Sequence, residues 1–225
     1  MVNKNIYVAC DVSGQEEILK LLELIHEDIS GIKIGLQYIT QRSPEEIREL
    51  SKFKKPIFYD GKFFDIKNTL VESIKSLKDL KVSYATVHLL NGLEALKAAN
   101  KTAQKINLKL LGVSVLTSFA DEDLESLGFK DKIEDQVKRL IKIAIASGLY
   151  GVICSPLEVK MIKKIAPGLK CFTPGIRVKD TEDDQKRTMT ANQAIKEGSD
   201  CLIIGRPITK GDPKKNIKHI LSSIE

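Results

Sequence analysis

Short apolar runs rich in β-branched residues recur along the whole chain, each followed by a turn or by a longer segment of helical periodicity. They occupy residues 6–11, 31–35, 56–60, 84–89, 109–116, 151–154, 170–173 and 200–204. That alternation is the pattern of parallel strands joined by crossover helices, since a parallel connection needs a long return to the starting edge. Eight such units predict a closed (β/α)8 barrel, the TIM barrel. An open doubly wound sheet is built from the same elements, and pattern alone does not separate the two.

A length of 225 residues with 42% hydrophobic content fits one compact domain spanning 1–225. No stretch reads as an interdomain linker or a low-complexity tract. Two helix starts are marked by a cap, a first-turn proline and acids in the favoured order: Ser43-Pro44-Glu45-Glu46 and Ser155-Pro156-Leu157-Glu158. Residues 178–187, VKDTEDDQKR, are polar and too long for an ordinary tight connection, so they read as a functional loop.

The charge balance, 36 basic against 30 acidic residues, is modest and its lysines are spread along the chain. It fits a solvated surface plus a basic pocket for an anionic metabolite. With only 5% aromatic residues and no basic stripe, a nucleic-acid partner is not expected. No apolar run is long enough to cross a membrane. Cys10, Cys154, Cys171 and Cys201 lie in or at the ends of apolar runs without CxxC or metal-ligand spacing, and read as small core residues in a reducing compartment. The expectation is a soluble cytoplasmic protein.

In a (β/α)8 barrel the chemistry collects at the C-terminal ends of the strands. Those ends carry Asp11, Lys33, Asp60 with Lys62 and Asp65, His88, Thr117, Pro174-Gly175 with Arg177, and Gly205-Arg206. One aspartate after a strand is more often a turn former or helix cap than a catalyst, but several charges converging on one mouth are not explained that way. His88 lacks a second histidine at metal spacing and reads as structural. Gly112 and Gly151 lack the spacing of a nucleotide-binding loop and read as packing glycines, and Phe63-Phe64 as packing or subunit contacts.

The densest cluster is Asp60-Gly-Lys62-Phe-Phe-Asp65-Ile66-Lys67-Asn68-Thr69. It resembles the orotidine 5'-monophosphate decarboxylase family, whose signature D-x-K-x-x-D-I-P-x-T it matches at Asp60, Lys62, Asp65, Ile66 and Thr69; Lys67 replaces the usual proline at the helix entry. Further matches follow in family order: Asp11, Lys33 in GIKIG, VHLLNG, GVSVLTS, TPGIR, Asp184-Gln185-Lys186-Arg187, and IIGRPI. The resemblance implies conversion of orotidine 5'-monophosphate to UMP and carbon dioxide in pyrimidine biosynthesis, with no metal and no cofactor. It also implies that Asp11 and Lys33 contact the ribose, that Thr117 hydrogen-bonds the pyrimidine and that Pro174 packs near it. In the family the site is shared across a homodimer, with the residues matching Asp65, Ile66 and Thr69 entering the partner's site.

The physical case stands beside the resemblance. Decarboxylation at C6 of a pyrimidine leaves a carbanion with no adjacent electron sink, so fixed positive charge is needed where negative charge appears. Lys62, flanked by Asp60 and Asp65, is the candidate: neighbouring carboxylates favour its charged form, and it can donate a proton to C6. Lys33 completes an alternating Lys-Asp-Lys-Asp array. Arg177, Gln185 and Arg206, with backbone N–H groups near Gly205, are the expected phosphate contacts, because barrels commonly bind phosphate beyond strands seven and eight. The loop between Arg177 and Gln185 is then expected to act as a lid. The nearest rival is a magnesium-dependent ketose-phosphate decarboxylase or synthase with the same D-x-K-x-x-D; such enzymes place an acidic metal ligand where this chain has Lys33.

Overall fold

The computed structural model describes residues 5–12, 14–177 and 187–224. Its strands are β1 (Ile6–Ala9), β2 (Gly31–Gly35), β3 (Ile57–Phe63), β4 (Tyr84–His88), β5 (Lys109–Val113), β6 (Gly151–Ile153), β7 (Lys170–Thr173), β8 (Ile176–Arg177), β9 (Met189–Thr190) and β10 (Cys201–Ile204). All but β8 and β9 close into a parallel barrel in the order β1-β10-β7-β6-β5-β4-β3-β2. Closure decides between the two architectures left open by the sequence: β1 pairs with β10 on one side and β2 on the other, so this sheet has no edge.

The helices are α1 (Gln15–Ile25), α2 (Leu36–Ile39), α3 (Pro44–Glu49), α4 (Lys67–Ser76), α5 (Leu93–Lys105), α6 (Asp121–Ser126), α7 (Ile133–Ala146), α8 (Val159–Ile165), α9 (Ala191–Lys196), α10 (Arg206–Thr209) and α11 (Pro213–Ser222). On α1 the buried set is Ile18, Leu21, Leu22 and Ile25, and on α7 it includes Val137, Leu140, Ile141 and Ala144. This i, i+3, i+4, i+7 spacing lays one apolar stripe against the sheet. Each such Leu or Ile contributes roughly 1.5–3 kcal/mol on burial. The Ser43 start forms a full capping box, and the Ser155 start does too, although its first turn, Pro156–Glu158, is a 3-10 turn leading into α8.

The period-2 alternation of the strands sorts side chains between the two cores. Ile6 and Val8, Ile32 and Ile34, and Ile57 pack outward under the helices, whereas Tyr7, Ala9 and Phe58 belong to the inner cluster. Inside, aromatic rings fill the N-terminal half of the barrel: Tyr84 lies 5.3 Å from Phe172, 5.8 Å from Tyr7 and 5.9 Å from Tyr150, between ring centroids. Continuing the same inward register toward the C-terminal mouth, Phe58 is followed by Asp60 and Tyr84 by Thr86. Gly112 and Gly151 are packing glycines, as expected: a Cβ on the first falls 2.5 Å from Leu89 Cδ2, and on the second 2.4 Å from the Lys170 carbonyl oxygen.

Two features differ from the sequence reading. Strand β3 does not stop at Asp60 but runs on to Phe63 through a register shift between Tyr59 and Phe63. A second, two-stranded parallel sheet joins β8 to β9, pairing Ile176 with Met189 and Arg177 with Thr190 across the segment 178–187. Residues 178–186, and with them the expected lid and Gln185, lie outside the described residues.

Candidate active site

The charged array is assembled by strand register. Ala9 of β1 lies opposite Lys33 of β2, and Gly35 lies opposite Asp60 of β3. Asp11, two residues past Ala9, reaches the same level. Lys33 Nζ stands 3.3 Å from Asp11 Oδ1 and 3.4 Å from Asp60 Oδ2, and Lys62 Nζ stands 2.8 Å from that same Asp60 oxygen. The result is a continuous line Asp11–Lys33–Asp60–Lys62. Gly35 leaves the room for it: a Cβ there meets Asp11 Oδ1 at 2.8 Å and Lys33 Nζ at 3.1 Å.

Both lysines use Asp60 Oδ2, and Thr86 donates its hydroxyl to the other oxygen, Oδ1, at 2.9 Å. Burial pushes the Asp60 carboxyl up, but the charges of Lys33 and Lys62 and the hydrogen bonds from Lys62 and Thr86 more than offset it, so its pKa is lowered. For Lys33 burial works downward, and Asp60 and Asp11 together leave its pKa raised. A buried charge is tolerated here because each has a partner of opposite sign.

Lys62 adopts the left-handed region, with φ of 46°. For a residue with a Cβ this costs roughly 1–2 kcal/mol, and the β3 irregularity there re-aims the side chain along the barrel mouth. The Thr86 hydroxyl accepts the Lys62 N–H at 2.8 Å, so one buried threonine holds both the backbone of Lys62 and the carboxylate it pairs with. Thr86 was not anticipated from the sequence, although its place in the inward register of YATVH carried the signal.

The loop after β3 is clamped by Asn91, the asparagine of VHLLNG. Its Nδ2 donates to the carbonyls of Phe63 at 2.9 Å and His88 at 2.7 Å, and its Oδ1 accepts the Asp65 N–H at 3.0 Å. Helix α4 starts at Lys67, so the residue replacing the family proline occupies the first helical position. Asp65, Ile66 and Thr69 are all exposed. Among the described residues Asp65 has no ion-pair partner, so one chain brings Asp11, Lys33, Asp60 and Lys62 together but does not bring Asp65 to Lys62. His88 is half-buried, with a pKa lowered by burial and by Lys62, and its Nδ1 accepts the Leu90 N–H at 3.4 Å. That contact caps the turn Leu89–Asn91.

Strand β5 stops at Val113, short of the residue 116 expected from the sequence, and Thr117 sits in the loop after it, in the turn closed by the Phe119 N–H on the Leu116 carbonyl at 3.0 Å. Pro174 lies between β7 and β8, half-buried. Arg177 on β8 is buried and lines a cavity of about 270 Å³ with Thr190, Asn192 and His219. Gly205 follows β10, where a Cβ approaches Asp11 Oδ2 to 4.0 Å, and Arg206 opens α10 beside it, exposed. A surface groove of about 1190 Å³ between α7 and α8 contains none of the charged array. Among the described residues no three Asp, Glu, His or Cys side chains converge as a metal cluster.

A closed parallel barrel with an alternating lysine–carboxylate line at its C-terminal mouth defines the class as a (β/α)8-barrel enzyme. The family model described as Orotidine 5'-phosphate decarboxylase / HUMPS family matches residues 4–220, and the chain belongs to that family. It is 38% identical over 221 residues to the orotidine 5'-phosphate decarboxylase of Wolbachia pipientis subsp. Culex pipiens, covering 97% of this chain and 98% of the relative. It is 39% identical over 229 residues to that of Dichelobacter nodosus, covering 100% of each. The crystal structure of orotidine 5'-phosphate decarboxylase from Lactobacillus acidophilus superposes with a TM-score of 0.85 at 32% identity, over 98% of this chain and 99% of that one.

Proposed function

We propose that this chain is an orotidine 5'-phosphate decarboxylase, a carboxy-lyase that converts orotidine 5'-monophosphate to UMP and carbon dioxide. The observation that carries the reading is the unbroken Asp11–Lys33–Asp60–Lys62 line, with a cation on β2 where a divalent metal site needs an acid.

In this reading the Lys62 ammonium faces C6 of the pyrimidine. As the bond to the carboxylate breaks, its electron pair stays on C6, stabilised by that fixed charge, and Lys62 then donates a proton to C6 while carbon dioxide leaves. Asp60 orients Lys62, and its own charge lies near the departing carboxylate, a repulsion that is relieved as carbon dioxide forms. Asp11 and Lys33 hold the ribose hydroxyls, Thr117 hydrogen-bonds the pyrimidine, and Pro174 packs against it. Arg177, Gln185 and Arg206, with the N–H groups near Gly205, take the phosphate, and that remote binding energy is used to order the site. No metal or organic cofactor enters the scheme.

The working unit in this reading is a homodimer with shared sites, in which Asp65, Ile66 and Thr69 complete the partner's array. Support comes from the loop itself: Asp65 is flanked by Phe64 and Ile66, which are 63% and 73% exposed, with Leu90 at 43% nearby, an apolar surface that a second copy can cover. Acting in pyrimidine biosynthesis, with its described cysteines free and buried, the chain is assigned to the cytoplasm as a single-domain enzyme with no nucleic-acid or membrane partner.

The deciding experiment follows the ultraviolet absorbance of orotidine 5'-monophosphate with purified protein, with and without a chelator, for the natural chain and Lys62→Ala. Chelator-insensitive conversion to UMP, lost in the variant, is expected. A folded protein that leaves the substrate unchanged overturns the reading and directs the search to ketose phosphates with magnesium.

A further inference from the structure

Two sequence features remain outside the catalytic scheme: the Ser155–Glu158 helix start and the arginine that ends Asp184-Gln185-Lys186-Arg187. The structure joins them. Arg187 Nη1 pairs with Glu158 Oε1, and both side chains are almost fully buried. The second Glu158 oxygen accepts the Ser155 N–H at 3.0 Å, and the Ser155 hydroxyl donates to the Arg187 carbonyl at 3.4 Å. Burial pushes the Glu158 carboxyl up, and Arg187 and the Ser155 N–H oppose this.

A buried ion pair is costly to desolvate, and an apolar pair of the same volume stabilises a fold at least as well. What a guanidinium offers instead is direction, through a rigid fork of donors. Here the fork is aimed at the loop that follows β5: Arg187 Nη2 donates to the Leu116 carbonyl at 2.8 Å and contacts that of Val115 at 3.4 Å. The Leu116 oxygen is the same acceptor that the Phe119 N–H uses at 3.0 Å to close the turn around Thr117 and Ser118. One side chain therefore fixes the closing oxygen of the turn that presents Thr117.

We propose that Arg187, held by the Glu158 carboxylate, is a positioning residue for the pyrimidine subsite and acts through the Leu116–Phe119 turn to fix the Thr117 hydroxyl. This rests on the functional reading above, in which Thr117 contacts the pyrimidine. Arg187 touches no reacting atom, so its effect must pass through Thr117, and that makes it separable from a general role in stability.

The test is a cycle of Arg187→Ala, Thr117→Ala and the double variant in the full chain, assayed on orotidine 5'-monophosphate alongside thermal unfolding. Arg187→Ala is expected to lower kcat/KM roughly 10-fold to 100-fold, the scale of a misplaced contact. The double variant is expected to lose no more than Thr117→Ala alone. Added guanidinium ion should restore part of the Arg187→Ala activity, and ammonium at equal ionic strength should not. Should Arg187→Ala fail to fold, Arg187→Lys serves in its place, since it keeps a charge opposite Glu158 but loses the planar fork. Losses that multiply in the double variant, or an unchanged kcat/KM in a folded Arg187 variant, overturn the proposal while leaving the function intact. A natural chain without activity overturns the functional reading and this role together.

Discussion

The Thr86 hydroxyl donates to Asp60 Oδ1 at 2.9 Å, from a position with no solvent exposure. Because the Thr86 hydroxyl oxygen also accepts the Lys62 N–H, Thr86 sets the angle at which the Lys62 ammonium meets its carboxylate. Replacing it by valine keeps the volume and strands two polar groups. The expected result for Thr86→Val is a fall in kcat of roughly 10-fold to 100-fold, matching a lost charge-assisted hydrogen bond of about 1.5–3 kcal/mol. Thr86→Ser should recover most of it, with KM nearly constant throughout. Steady-state kinetics that show the loss only in KM would contradict this role.

Gly35→Ala places a methyl 2.8 Å from Asp11 Oδ1 and 3.1 Å from Lys33 Nζ. Both are the ends of side chains, so the barrel can stay folded while the array is pushed apart. Activity is expected to drop at least about 10-fold while the melting midpoint moves by about 4 °C or less, the equivalent of roughly 1 kcal/mol. Parallel assay and calorimetry separate the two effects; a large fall in midpoint with normal turnover would reverse the assignment.

The pH dependence of stability has a definite sign at Asp60. Its folded pKa lies below the ordinary 3.8, so its ionised form adds stability that is present above the unfolded pKa and is lost as pH falls through the folded one. Urea unfolding of the natural chain and Asp60→Asn should therefore differ by a constant amount from about pH 5 to 8, with the gap narrowing below about pH 4. A gap that widens toward acid would show the carboxyl is protonated in the fold.

Shared sites make a mixing experiment informative. Lys62→Ala and Asp65→Asn homodimers should each be inactive, and co-refolding them in equal amounts should recover roughly one quarter of natural activity, because half the dimers are mixed and each holds one intact site. Absence of any recovery, with mixed dimers demonstrated by mass, would place Asp65 outside the partner's site.

At the opposite end of the barrel, Asp200 holds Lys163 at 2.5 Å, Lys170 at 2.9 Å and the Cys171 N–H at 2.8 Å. This face carries stability, not chemistry. Asp200→Ala is expected to cost about 1–3 kcal/mol in denaturant unfolding and to leave kcat/KM of the folded enzyme unchanged.

The sequence by itself determined the eight strands of the barrel, the helix starts at Ser43 and Ser155, the packing role of Gly112 and Gly151, and the placing of Asp11, Lys33, Asp60 and Lys62 at one mouth. These follow from local physics: a period of two, a period of 3.6, caps and turn formers are all written within a few neighbouring positions. Only the tertiary structure decided what depends on residues distant in the chain. Closure rests on β1 pairing with β10, nearly two hundred residues away. The left-handed Lys62 and its hold on Thr86 depend on the register of β3 against β4, and the Arg187–Glu158 pair on three loops meeting above β5 and β6. Register is a cooperative property of the whole sheet, so a threonine in YATVH or an arginine at the end of a charged run reveals its partner only once the barrel has closed.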